Sequence, residues 1–590
     1  MDSNSGFTYK LLQGDEIRLI RIIEDGPGKP IRCTINHVSL GAKPWFVAVS
    51  YVWGDPTANL PIYIDGTPVG VTKNLESCMR HIQQLFRNET SVFGGLEGTE
   101  FWIDAVCINQ GDNIEKSAQV PRMGAIYSSA KLVLGWLGEN PPSEDSAIEY
   151  AFRTAKQICR AIMAGIASQQ DFINGSEETP LSHRPHFQTL RESNGIDANL
   201  QTMALVHLFE RQWFSRVWII QEAVLADDRL VLMAGAYWVP CNFLEYFLDL
   251  WGSSARLTDS SDFYANMKRS SSQLMSVRTQ FQELDSVTDV TRLANYLQRL
   301  LMKAFGYKST LPQDLIYGRL GLCPSGLLPT SLSPNYDIPY PEVFHKFAML
   351  FLKETGTLEI LMTGKHELVD VPSWVPDFRY PLENTFTDVQ TSSAVRVSPD
   401  GKLLVVEGTK LGEIKYISKK HNHPITGQKT VRDAVRTFHN GIVQYMSEKL
   451  RQSPEVIVRE VWIRLWVQGR QGTEQQRLDS MYRFYDHFLH QNDVIAVEYS
   501  TALLGQFVTL FDAFVMDDET AGYCIRSDST LEVGDIICSL KGLPMAAILR
   551  ARLSNFIYVG PCSLAGKYLE QNHANGGREE SDLLDVWNLI

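Results

Sequence analysis

Three short apolar runs with two helical stretches between them constrain the N-terminal part of this chain more than any other feature. The runs are WFVAVSYVWG (45–54), FWIDAVCINQ (101–110) and LVLGWL (132–137). Runs this short and this apolar read as buried strands. Between the first two, residues 60–71 read as a hairpin turning at Asp65-Gly66. Thr72 to Arg87 then carries Leu75, Met79, Ile82 and Phe86 at helical spacing. Between the second and third, Asn113 to Ser129 places Val120, Met123 and Tyr127 on one stripe. Strand, helix, strand, helix, strand is the order of an α/β fold, a parallel sheet with helices packed on it. Asp104 stands inside the second run, where a carboxylate is costly to bury without a partner. Ser50, Tyr51 and Trp53 fall at the end of the first, where ligands of open α/β sheets gather.

The rest of the chain divides by composition and periodicity. Residues 1–44 contribute strands packed on the domain that follows, which spans 45–227 and contains a helical and loop insertion at 139–203. Within it, Ala204 to Ala226 reads as a continuous helical stretch on which Trp218 and Glu222, four apart, share a face. Residues 228–400 read as a mostly helical and irregular region, and 401–500 as strands followed by helix. Residues 501–590 form a β-rich end with a polar tail beyond 567 that is expected to fray.

Several function classes fall away. A formal net charge of −13 without a basic face disfavours nucleic-acid binding. No apolar run approaches the ~20 residues of a membrane span, and the N-terminus lacks the basic and apolar regions of a secretory signal. The nine cysteines are scattered with no CxxC pair, so neither a zinc site nor a disulfide framework is expected. Reduced thiols of a cytoplasmic protein are the expectation instead. His421-Asn422-His423 reads as a surface turn rather than a metal site. No phosphate-binding loop, nucleophile elbow, HExxH helix or 20–50-residue repeat is present.

Read together, AVSYVWGDP (48–56), residues 101–139 and RQWFSRVWIIQE (211–222) closely resemble the heterokaryon incompatibility (HET) domain of filamentous fungi. LPQDLIYGRLGL, LSPNYDIP and VPSWVPDF resemble, more weakly, segments that follow it in long proteins of this kind. Two positions depart from the pattern: Gln212 stands where proline is common, and Gly135 stands in a strand that it is expected to weaken. The resemblance implies non-self recognition ending in growth arrest or cell death, with a copy of the same protein or an allelic partner. It also implies a distant relation to TIR domains, hence a TIR-like or Rossmann-like parallel sheet. Some TIR domains cleave NAD with a glutamate in a W-x-x-x-E segment similar to Trp218-x-x-x-Glu222.

On that analogy Glu222 is the candidate catalytic residue, with NAD as substrate rather than cofactor. It would stabilise the oxocarbenium-like charge on the ribose. Ser50, Tyr51, Trp53, Asp104, Asn109 and Trp218 are the candidate substrate-binding residues. Plainer roles stand beside these. Glu222 is alternatively a helix glutamate bonded to Arg216 or Arg211, and Asp104 part of a structural hydrogen-bond network, the reading favoured for it. Cys107 reads as a core thiol, Trp53 as equally a pocket wall or core, and Trp102, Trp136, Trp213 and Trp218 as core before cofactor contacts. A non-enzymatic assembly module, or an accessory protein of a metabolic pathway, remains compatible with the same residues.

Overall fold

A computed structural model describes residues 7–23, 28–55, 59–165, 198–254, 288–303, 307–323, 326–380, 395–417, 511–517, 521–525, 531–564 and 585–590, single positions excepted. The chain divides into two compact units: residues 1–288 with 306–338, and residues 289–305 with 339–590. The helix expected in the later part of 401–500, the His421–His423 turn and most of the loop expected within the 139–203 insertion lie outside the described residues.

The first unit is organised by a nine-stranded sheet, ordered β5-β4-β2-β1-β6-β3-β7-β8-β9. The strands are β1 Glu16–Ile23, β2 Arg32–Ser39, β3 Val47–Tyr51, β4 Asn59–Ile64, β5 Thr67–Thr72, β6 Phe101–Trp102, β7 Leu132–Trp136, β8 Leu230–Ala234 and β9 Tyr237–Pro240. Its centre, β6-β3-β7-β8, is parallel. The flanks are not, since β1 runs antiparallel to β2 and β6, and β8 to β9. The sheet is therefore mixed rather than parallel throughout. Its helices include α1 Lys73–Asn88, α2 Asp104–Cys107, α3 Asn113–Gln119, α4 Met123–Ser129, α5 Asp145–Gly165, α6 Ala198–Phe209, α7 Ile219–Ala226, α8 Cys241–Ser254 and α9 Asp314–Leu320, with a single helical turn at Thr90–Phe93.

Local chemistry accounts for several boundaries. Thr72 caps α1, its hydroxyl accepting from the Leu75 amide at 3.3 Å. Asp65 and Gly66 both have positive φ, 48° and 82°, as a two-residue hairpin turn requires. FWIDAVCINQ is not the continuous strand its composition predicts. Only Phe101 and Trp102 pair, and Asp104 opens a single helical turn because its carboxylate accepts from the Ala105 amide at 2.7 Å. Asn113–Ser129 likewise breaks, at a 3-10 turn containing Pro121, which cannot donate to a helix ladder.

The expected helix over 204–226 is interrupted too. α6 stops at Phe209, a 3-10 turn spans Gln212–Ser215, and α7 begins only at Ile219. The region after 227 was expected to be mostly helical, yet β8 and β9 extend the sheet. Leu230–Ala234 is fully buried, so it shows neither the alternation of a half-exposed strand nor a polar helix face. The boundary expected at 227/228 falls inside this sheet, between α7 and β8.

Gly135 does not loosen β7. A Cβ there would meet the Trp213 ring at 3.1 Å and Leu232 at 2.9 Å, so glycine admits the indole against the strand. A closer approach joins α4 to the segment after α9. A Cβ on Gly124 would lie 2.4 Å from the Gly321 carbonyl oxygen and 2.9 Å from its Cα, backbone atoms that cannot rotate aside. Gly124→Ala should therefore lower stability by about 1–3 kcal/mol or more. Gly98→Ala, with open space around the new methyl, should stay within about 0.5 kcal/mol. Urea midpoints of the two variants check this.

The second unit holds β10 Arg396–Val397, β11 Leu404–Ile417, β12 Phe511–Met516, β13 Ala521–Ile525, β14 Ile536–Leu540, β15 Ala546–Arg552, β16 Asn555–Leu564 and β17 Asp585–Leu589. The long β11 pairs with both β12 and β14, closing β11-β12-β13-β16-β15-β14 into a ring. Ile414, Phe514, Met516, Ile537 and Ile548 belong to the core inside it. The boundary expected at 500/501 falls between β11 and β12, strands of one sheet. Of the tail expected to fray beyond 567, residues 565–584 lie outside the described residues, and Asp585–Leu589 is ordered: β17 pairs with β11, burying Trp587 and Leu589.

Candidate functional site

In the order β6-β3-β7, the chain leaves β3 for a strand on one side and later returns to one on the other. The connection reverses at β3, and such reversal points are where open α/β sheets hold ligands. Ser50 and Tyr51 end β3, and Asp104 lies two residues past the end of β6. The sequence-selected residues Ser50, Tyr51, Trp53, Asp104 and Glu222 are brought together there.

Ser50 is 1% exposed and Glu222 2%. The Ser50 hydroxyl donates to Glu222 Oε2 and accepts from Trp213 Nε1 at 2.8 Å. The Tyr127 hydroxyl donates to the Val49 carbonyl oxygen at 3.3 Å and stands close enough to the Glu222 carboxylate to interact with it. Arg216 Nη1 stands 3.6 Å from Glu222 Oε2. That nitrogen is buried and makes no hydrogen bond among the described residues. Asp104 accepts from Trp53 Nε1 at 2.8 Å and has the Tyr51 hydroxyl beside it. Trp53 is 40% exposed, so the cluster runs from a buried glutamate to an indole in contact with solvent.

Electrostatics couples the two acids. Burial pushes the Glu222 carboxyl above its ordinary value, against the Arg216 guanidinium and the Ser50 hydroxyl, which favour the ionised form. Asp104 is raised for the same first reason and opposed by the same guanidinium. The neighbouring phenols respond too: Tyr51 and Tyr127 sit well above the usual phenol range, first through burial, then through Asp104 for Tyr51 and through Glu222 and Asp104 for Tyr127. One cation thus serves two desolvated carboxylates, and removing a proton from either is resisted. A carboxylate of this kind can hold or release a proton, or face a developing positive charge.

Other sequence-selected residues lie elsewhere. Asn109 does not join the cluster. Its side-chain oxygen accepts from the Gly111 amide at 3.2 Å and its own amide donates to Glu115 at 2.7 Å, so it shapes a turn. Trp218 does not share a site with Glu222. It immediately precedes α7, and its indole donates to Asp314 at 3.2 Å. Cys107 is a buried thiol that burial pushes up to about 12, which rules it out as a ready nucleophile. Of the two arginines proposed as alternative partners of Glu222, Arg216 is beside it, whereas Arg211 pairs with Glu144 at 2.8 Å.

Sequence reading missed Trp213 and Tyr127 as polar participants, because their burial is what core packing also predicts. It missed Asp314 because the residue lies far along the chain. Trp213 in RQWFSRVWIIQE carried the one available signal: a buried indole N–H needs an acceptor.

Residues 46–222 match the family model of the heterokaryon incompatibility protein (HET). A relative, "Heterokaryon incompatibility protein 6, OR allele" of Neurospora crassa, is 26% identical over 399 residues. The match spans 60% of this chain and 56% of the relative's own length. No solved structure matches the chain. Among the described residues, no helix is long and apolar enough to cross a membrane. Ser50, Asp104, Arg216 and Glu222 all fall within the stretch that matches the HET family model, residues 46–222.

Proposed function

We propose that this chain acts in heterokaryon incompatibility, as a cytoplasmic effector whose HET domain brings about growth arrest or cell death. The family match and the name of the Neurospora crassa relative support the role. Assembly with further copies, or with an allelic non-self partner, would supply the trigger.

The Ser50–Glu222 contact carries a chemical assignment within that reading. Glu222 is the carboxylate of a TIR-like cleavage of NAD. The bond between nicotinamide and the ribose anomeric carbon breaks, and its electron pair leaves on the nicotinamide nitrogen. The ionised carboxylate faces the oxocarbenium-like charge left behind. Water then adds at the anomeric carbon and gives its proton to the carboxylate. Ser50 and Tyr127 orient Glu222, Arg216 favours its ionised form, and the exposed Trp53 ring offers a face for a nucleobase or nicotinamide.

Glu222→Gln keeps an acceptor for Ser50 and removes the charge. At high protein concentration, wild type should release nicotinamide from NAD and the variant should do so at least ~100-fold more slowly, the scale of losing one transition-state contact. Full activity in Glu222→Gln would remove the catalytic assignment.

A second reading rests on the 2% exposure of Glu222. A carboxylate that closed off, with two hydroxyls and a guanidinium around it, also suits a non-enzymatic assembly module whose polar core fixes the packing of α7 on β3. Growth arrest by a wild-type protein that leaves NAD intact would favour that reading.

A further inference from the structure

The segment 307–338 begins well past the end of the family match yet belongs to the same compact unit. It grips the stretch that carries Arg216 and Glu222 at four points. Lys308 forms a parallel bridge to Arg216, with the Val217 amide donating to the Lys308 carbonyl at 2.9 Å. Trp218 Nε1 donates to Asp314 Oδ2 at 3.2 Å. Gly318 lies where a Cβ would touch Val217 at 3.3 Å and Trp218 at 3.6 Å. Gly321 packs so closely that a Cβ there would overlap the Gln221 side-chain oxygen.

We infer that Asp314 is a positioning residue, which holds Trp218 and through it sets Arg216 and Glu222 against Ser50. Asp314 is buried and itself fixed from behind, accepting from the Tyr336 hydroxyl at 2.9 Å. Lys116 lies 4.2 Å over the Tyr336 ring. Two donors on one carboxylate, one from each side, give the Trp218 indole a single orientation. Trp218 is the residue from which α7 starts, since its carbonyl accepts from the Glu222 amide at 3.2 Å. Tilting the indole therefore tilts the first turn of α7. Burial raises Asp314 to about 6, opposed by Tyr336, Lys116, Trp218 and Arg216. This acid therefore titrates within the range of a protection measurement.

The consequence for chemistry rests on the proposed site, but the test does not. Amide hydrogen exchange of the full chain is measured between pH 5 and 8, each rate divided by its intrinsic rate. Asp314→Ala should raise exchange in peptides covering 215–226 at least tenfold while leaving peptides of β11 unchanged. Asp314→Asn keeps an oxygen for Trp218 and a polar partner for Tyr336, so it should preserve most of that protection. Because Asp314 is raised in the fold, its protonated form favours the closed segment. Wild-type protection over 215–226 should therefore fall as pH rises through about 6, the value Asp314 is raised to in the fold, and Asp314→Asn should show a smaller fall. Packing alone would not move that pH step. If Asp314→Ala does not fold, Tyr336→Phe, which removes one of the two donors, takes its place with a smaller rise at the same peptides. Unchanged exchange over 215–226, or an equal rise throughout the nine-stranded sheet, would overturn the assignment. Nicotinamide release need not be observed for either outcome, so failure of the catalytic reading stays separate.

Discussion

Arg216→Met should cost about 3–5 kcal/mol of stability at pH 8, the usual penalty for stripping a buried charge of its partner. The guanidinium is the favourable charge common to Glu222 and Asp104, and burial already holds both above their ordinary range despite it. Methionine fills much of the same volume, so the loss reads the charge rather than a cavity. The pH dependence has a definite sign. An acid raised in the fold contributes stability below its unfolded value, near 4, and loses it as pH rises through the folded value. Without Arg216 both acids rise further, so that window widens upward. Lowering the pH from about 8 to about 5 should therefore recover a larger share of stability in Arg216→Met than in wild type. Urea unfolding of both proteins at the two pH values measures this, and a pH-independent deficit would mean the arginine acts by packing alone.

How far this site was legible in the sequence depends on the residue. Ser50 and Tyr51 were readable because an apolar, β-branched run ending in polar residues fixes both a strand and its end. Asp104 was readable as an acid in an apolar segment, though not the helical turn it starts, since propensity cannot report that a carboxylate will take the amide next to it. Glu222 came from a resemblance; its periodicity alone suggested an uninterrupted helix. The break between α6 and α7 depends on Trp213 and Trp218 finding distant acceptors, Ser50 and Asp314. No window of local sequence contains those pairs. Asn109 stands apart from the cluster for the converse reason. Its neighbours within six residues, Gly111 and Glu115, satisfy it locally.

Arg18 presents the same problem, and its pair carries the second large effect. β1 reads EIRLIRII, and nothing in that pattern says which arginine points inward. Arg21 stays largely exposed, whereas Arg18 is 1% exposed and meets Glu115 at 2.6 and 2.9 Å. It also donates to the Cys107 carbonyl at 3.0 Å and the Lys10 carbonyl at 2.7 Å, with Tyr9 stacked 4.7 Å away. Glu115 in turn accepts from the Asn109 amide at 2.7 Å. The pair therefore fastens both ends of the turn after Asp104 to β1. The two partners are not equivalent. A glutamate left alone can take up a proton, but an arginine cannot shed one. Glu115→Leu should accordingly cost about 3–5 kcal/mol, and Arg18→Met less. The double variant Arg18→Met/Glu115→Leu removes both charges and should recover most of the larger loss, giving a coupling of roughly 2 kcal/mol or more in a double-mutant cycle. Urea midpoints of the four proteins provide the cycle. If the single losses simply add, the ion pair is not what holds this turn to β1.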